Sequence, residues 1–464
     1  MRNFVTLIFV FLFPFVLLAM EESDIVVSKD GTGDFTTIMD AVNSIPANNS
    51  MWKTILIKNG VYDEHVMIKN NFIVLVGEDR YQTRIEHDLS RKAWNNLNGS
   101  NTGCGVINIW TDCHDIVVAN ITVKNTYNYT SDSGEDYTEV IRSETGTTRI
   151  WIVNSDLLCK WKDTLALWGK EKGMYYVNNC VFRGSIDAFC PRGWCYALNC
   201  RFIETRDSSP IWMEGVSGLD QKLVVQGGSV HSEKNKKTKL QNQQGSPSFY
   251  YLDVVLSDSI GSQGSSGPSY YYQVQGNSSY TWFKDNISLE QRKLIDSKWT
   301  FTSNNTLMWS PEDDMPPVLP FASLPQPYHK KYEVKQGMNT LKWIAGRNAK
   351  AHRVYLGVTE NPALLSETTD TNIQVELEAG KTYYWRVDAE TDAGIVPGET
   401  WTFSTTASET NTRLQTTDTD NPVLSVEYFN LNGMKVPESP NQLLIKKTTY
   451  QNQSVLIEKI IPFY

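Results

Sequence analysis

The sequence predicts an all-β chain: a right-handed parallel β-helix, then a small β-sandwich, then a short C-terminal β module. Three observations predict it. Short apolar runs recur with a small or polar residue at the same place in each. A Pro-rich stretch divides these runs from a second block of alternating strands. A polar, Thr-rich stretch then divides that block from a last strand-forming tail.

Residues 1–20 read as a secretory signal: Arg2 precedes an apolar run from Phe4 to Leu18, and Ala19-Met20 leads into polar Glu21-Glu22. The run is shorter than the ~20 residues a spanning helix needs. The expectation is therefore a protein that is secreted, or held at the cell surface or in the periplasm, with no membrane span after cleavage.

The predicted β-helix covers 24–309. Phe35–Ile45 is its one helical stretch, with Ile38, Ala41, Val42 and Ile45 at i, i+3, i+4 and i+7. Such a helix caps the open end of a coil stack and protects edge strands. The repeating runs follow. Each turns at one residue: Asn120 in DIVVANITVKN, Asn154 in RIWIVNSDLL, Asn179 in MYYVNNCVFRG, Asn199 in WCYALNCRFIE, Gly227 in KLVVQGGSVHS and Asp253 in FYYLDVVLSDS. The spacings are 34, 25, 20, 28 and 26 residues. Irregular spacing in this range, with loops of variable length, fits stacked coils. A β-sandwich also has many short strands, but the recurring Asn-Cys or Asn-Ser pivot favours the coil stack.

Residues 310–328, rich in proline, read as an extended linker. Residues 329–405 carry strand alternation, with Trp343, Tyr384, Trp385 and Trp401 as the expected aromatic core of a sandwich. The run Thr382–Phe403 resembles fibronectin type III modules of bacterial glycan-degrading enzymes. Residues 406–420 form a second linker. The module at 421–464 resembles the C-terminal sorting modules of secreted Bacteroidetes proteins; a plain β-hairpin extension is the alternative.

The net charge of −9 and a pI near 5.3 argue against nucleic acid as a partner. Most of the 14 Trp and 22 Tyr are expected in β-rich cores. Seven cysteines leave at least one thiol unpaired. Cys180 and Cys200 are expected to stack as thiols at the strand spacing of ~4.8 Å, which is long for a disulfide. Cys190 with Cys195 is the better-placed pair. With no His beside them, a zinc site has little support. No histidine pairs with a nucleophilic Ser or Cys, and no G-x-S-x-G motif occurs. No metal and no cofactor are expected.

Two aspartates remain: Asp163 in KDTLAL (Lys162–Leu167) and Asp187 in RGSIDAF (Arg183–Phe189). Each sits beside a strand of the repeat, and stacked coils bring such residues together. Two neighbouring carboxylates can divide ester hydrolysis, one attacking and the other moving protons. Turn or capping roles are the alternative reading.

A series of motifs resembles the pectin methylesterase family from about Asp24 to Phe301. DGTGDFTTIMDAVNSIP is similar to its opening segment. IKNGVYDEHV (Ile57–Val66), LVGED with Thr83 and Ile85, and YYVNNCVFRGSIDAF (Tyr175–Phe189) are similar to later ones. The resemblance implies Asp187 as nucleophile, Asp163 as acid and base, and the methyl ester of galacturonate in pectin as substrate. It also exposes departures. Lys162 and Glu139 stand where that family has two oxyanion-binding glutamines. Asn242 and Gln244 stand where it has an Arg that holds the nucleophile and a Trp that contacts sugar. Lys162 can donate a charged hydrogen bond; an ionised Glu139 accepts only. Lys162 is therefore expected to point into the cleft, with Glu139 opposing it or pairing with it. Arg192 and Lys162 are candidates to replace the missing Arg. Trp161, Trp168, Trp194 and Trp212 lie near the motifs as candidate sugar contacts or packing residues. Three functions stay open: a pectinesterase, a degenerate pectin-binding β-helix, and an esterase for an atypical pectic ester. A calcium-dependent lyase ranks lower, since the motifs belong to esterases and no dense acidic ligand set appears.

Overall fold

The computed structural model describes residues 25–234 and 237–406, with the strands Val423–Phe429, Lys435–Val436, Leu444–Tyr450 and Val455–Ile460. The apolar N-terminal run and nearly all of the Thr-rich second linker lie outside the described residues.

Three parallel sheets of ten, eight and eight strands wind together as in a parallel β-helix. The register runs through Val153, Asn178, Leu198, Gln226 and Leu252 on successive coils. The next residue in each is a pivot, so Asn154, Asn179, Asn199, Gly227 and Asp253 stack. Their φ values are 48°, 53°, 51°, 65° and 58°. The corner thus demands the left-handed region, which Asn, Asp and Gly tolerate best. Side chains reinforce it: Asn154 Nδ2 donates to Asn120 Oδ1 at 2.8 Å, and Asn179 Nδ2 to Asn154 Oδ1 at 2.9 Å. At Gly228, beside the Gly227 pivot, a Cβ would lie 1.9 Å from the Cys200 carbonyl oxygen.

Inside the coils, aliphatic residues stack with rows such as Phe182 on Phe202, 5.6 Å between ring centres. All seven cysteines are buried and free. Cys190 and Cys195, the pair better placed to bridge by sequence, belong to strands of two different sheets, Phe189–Cys190 and Trp194–Leu198.

The helix α1 (Ile38–Asn43) forms where the periodicity places it, and Ile38, Ala41 and Val42 are buried. Thr37 caps it, and Glu64 accepts hydrogen bonds from the amides of Ile38 and Met39, both at 3.0 Å.

The ten-stranded sheet is buried on both faces. Its outer residues Val74, Val117, Trp151 and Tyr176 pack with Ile295, Phe301, Trp309 and Val318. This explains why several of its strands read as continuous apolar runs. It also corrects the reading of 310–328 as a bare linker. Pro311–Asp314 is a helical turn whose first carbonyl accepts from Trp151 Nε1 at 3.1 Å, and Ser323–Gln326 is a strand.

Residues 323–405 form two small, mainly antiparallel sheets closing on Trp343, Trp385 and Trp401. Strand alternation turns Tyr383 inward with Trp385 and leaves Tyr384 only half-buried, so Tyr383 replaces the expected Tyr384 in this core. The last four strands form one antiparallel sheet. No helix among the described residues is long and apolar enough to cross a membrane.

Candidate active site

Ile141, Leu165 and Phe189 are in register on three adjacent coils. Two residues before each stand Glu139, Asp163 and Asp187. These three carboxylates therefore share one corner of the helix, where the eight-stranded sheets meet, with coils ~4.8 Å apart. Asp163 and Asp187 both take positive φ, 60° and 63°, and Ile186 takes 42°. A β-branched residue in that region is strained, a feature common at functional sites. Gly184 is required just before: a Cβ there would lie 2.0 Å from Thr164 Oγ1.

The helix α2 (Arg91–Asn98) supplies the first cation. Ser90 caps it, accepting from the Ala93 amide at 3.1 Å. The Arg91 amide donates to the Tyr137 carbonyl at 2.9 Å, and the Lys92 amide to Asp136 Oδ2 at 3.0 Å. These bonds place the Arg91 guanidinium over Tyr137, 3.6 Å from the ring centre. From there one nitrogen, Nη2, reaches both Glu139 Oε1 and Asp163 Oδ2, the latter at 2.9 Å.

Glu139 is wholly buried, at 0% exposure. Its other oxygen accepts from Arg142 Nη1 at 2.8 Å and from Cys104 Sγ at 3.2 Å. Arg142 in turn holds Glu144, with Nε to Oε1 at 2.6 Å. Burial opposes ionisation of Glu139, but Arg142 and Arg91 outweigh it and hold its carboxyl below the ordinary range.

Asp163 goes the other way. Burial and then the Glu139 charge push it up to about 7, against the pull of Arg91. Burial also pushes Asp187 to about 7, while Arg192 and Lys162 pull it down. Asp187 Oδ1 is buried with no hydrogen-bond partner. On the next coil Glu204 is fully buried and pushed up to about 8, chiefly by burial. It accepts from the Ile186 amide at 3.2 Å and the Arg206 amide at 3.0 Å, fixing the backbone beside Asp187.

Residues 24–231 match the family model described as pectinesterase. This part of the chain is therefore similar to pectinesterases. Among curated proteins it is similar to probable pectinesterase 55 of Arabidopsis thaliana, 28% identical over 191 residues, covering 40% of this chain and 53% of that protein. Pectinesterase 31 of the same plant is 27% identical over 176 residues, covering 35% and 50%. The chain spans about half the length of these curated relatives. Among solved structures, pectin methylesterase PemA from Erwinia chrysanthemi has a TM-score of 0.51 at 17% identity, covering 63% of this chain and 99% of that one. A pectin methylesterase in complex with a hexasaccharide has 0.51 at 18%, covering 62% and 98%. At such identity the likeness to the solved structures is one of fold.

Against the pectinesterase pattern, the departures fall as follows. Lys162 lies within electrostatic reach of both aspartates, but its ammonium bonds Glu135 Oε1 at 2.8 Å and lies over Tyr137. Glu139 does not pair with it, because two guanidinium groups already hold that carboxylate. Arg192 is the buried cation near Asp187. It bonds Glu214 at 3.0 Å and is sandwiched between Trp168 and Trp212, 3.5 and 4.7 Å from their ring centres. Asn242 is paired in register with Trp212 and is exposed. Trp161 and Trp194 are buried, 1% and 3% exposed, and present no open ring face. Arg91, Arg142, Glu204 and Glu214 were not singled out by sequence. The one signal for Arg142 was a charge inside the apolar strand that follows Glu139.

Proposed function

We propose that this protein hydrolyses the methyl esters of galacturonate units in pectin and releases methanol. The observation that supports it most is the placement of Asp163 and Asp187. They lie on adjacent coils of one corner, Asp163 buried and Asp187 partly so, in unlike charge surroundings, in the part of the chain that matches the pectinesterase family model.

In this reading a carboxylate oxygen of Asp187 attacks the ester carbonyl carbon. The bond from carbon to the methoxy oxygen breaks, and Asp163 gives its proton to that oxygen as methanol leaves. Water then adds to the acyl-enzyme and returns a proton to Asp163. The bond from carbon to the Asp187 oxygen breaks, freeing the acid and restoring the carboxylate. Cations supply the oxyanion donors here, with Lys162 and the guanidinium groups in place of neutral amides. Trp168 and Trp212, half-buried on either side of Arg192, offer ring faces to a sugar beside the site. The N-terminal apolar run supports a secreted or cell-surface location, where pectin is met.

Methanol release from methyl-esterified pectin tests the proposal. Asp187→Ala and Asp163→Ala should each reduce it to background with an unchanged unfolding midpoint. Wild-type turnover in either variant sinks the mechanism. The ionised, locked Glu139 favours one second reading, a pectin-binding protein without turnover. Binding of pectin by the native protein with no methanol released would select it.

A further inference from the structure

On the Asp163 side, Arg91 and Arg142 face Glu139 and Glu144, two cations against two anions, and Arg192 adds a weaker pull. On the Asp187 side the pulling cations are Arg192, which bonds Glu214, and Lys162, which bonds Glu135. Glu204 is the remaining acidic group facing Asp187, and burial keeps it protonated up to about pH 8. Cys104 and Cys190, the thiols packed against this corner, are pushed well up by burial and stay neutral.

We propose that Glu139 is a positioning residue: by taking up the charge of Arg91, on the nitrogen that also reaches Asp163, it lets Arg91 orient Asp163 without removing its proton. Glu139 is thus no failed oxyanion donor. It is the counter-charge that keeps the proton on Asp163 while Arg91 holds the other carboxyl oxygen. Arg91 occupies Asp163 Oδ2 and leaves the other oxygen to carry the proton. Arg142 anchors Glu139 from the far side, so that its charge stays in place when Asp163 gives up and regains that proton.

This rests on the proposed ester hydrolysis for its purpose, but its test does not need turnover. The carboxyl of Asp163 is titrated by NMR in the full chain with carbon-13-labelled aspartate, its signal identified by loss in Asp163→Asn. Glu139→Gln should lower the midpoint by about one to three pH units, and Arg91→Met should raise it. Glu139→Asp, which keeps the charge, should restore the native value. If turnover is present, the alkaline limb of methanol release in Glu139→Gln should move down with the titration. An unmoved midpoint in Arg91→Met overturns the inference, even if Glu139→Gln does not fold. So does a midpoint that moves the same way in both variants. A native protein that releases no methanol, yet shows both opposite shifts, refutes the ester hydrolysis and keeps the inference.

Discussion

Arg192 shows how a residue from another place in the chain brings a cation near Asp187. The sequence offers Asn242 where a nucleophile-holding Arg is expected, and Asn242 is exposed. Arg192 instead reaches the corner from the turn after Cys190, braced by Trp168, Trp212 and Glu214. Its charge is the largest influence that opposes burial at Asp187. Replacing it with methionine should therefore raise the Asp187 pKa, and the acid limb of methanol release should shift upward by about one pH unit or more. An acid limb that stays in place would show that Arg192 acts on packing alone. The aspartates themselves were legible because they sit in short motifs next to strands. Arg91 was not, since it arrives from a helix 72 residues before Asp163, and nothing local in SRKAW marks its target. Trp161 was misleading for a related reason. Sequence gives its nearness to Asp163, but strand alternation decides that it points inward.

At the scale of elements, the pivot column was the most readable feature, because its cause is backbone geometry. Each coil must bend through the left-handed region, and Asn, Asp and Gly are the residues that do so at least cost. Asn154 joins two coils and also accepts from Arg80 at 3.0 Å. Asn154→Ala loses these bonds and strains the corner, and should cost about 2–4 kcal/mol in urea unfolding. Asn154→Gly should recover part of that, since it relieves the backbone and leaves only the bonds missing. Equal losses in the two variants would mean the backbone conformation contributes nothing. The Pro-rich stretch was harder to read. Proline marks where regular structure breaks, but Trp309, Met315, Val318 and Leu319 within and beside it are apolar enough to cover a sheet face. Composition suggested a spacer; burial of those side chains made it a cover.

For the molecule as a whole, the buried carboxyls set how stability depends on pH. Asp163, Asp187 and Glu312 are pushed up to about 7 and Glu204 to about 8, in every case chiefly by burial. In the unfolded chain these groups release their protons near pH 4. Between there and pH 7–8 the native state holds protons that the unfolded state has lost. The stability they contribute must then fall as pH rises through that window, by at most about 1.4 kcal/mol per group for each pH unit. At the acid end Glu139, Glu135 and Asp313 have the opposite sign. Their carboxyls are held below the ordinary range, so the stability they give is lost as pH drops below about 4. Burial holds His329, His65 and His352 below the ordinary imidazole range, so these groups add stability as pH rises to about 6.5. The thermal midpoint should therefore decline from about pH 6.5 to pH 8. Two of the four carboxyls pushed up by burial are the paired aspartates of the candidate site. Asp163→Asn with Asp187→Asn should leave the midpoint at pH 5 nearly unchanged, raise it at pH 8, and make the decline roughly half as steep. A native midpoint that is flat or rising from pH 6.5 to pH 8 would show that these carboxyls are hydrated and ionised in solution. The division of roles between Asp163 and Asp187 would then lose its physical basis.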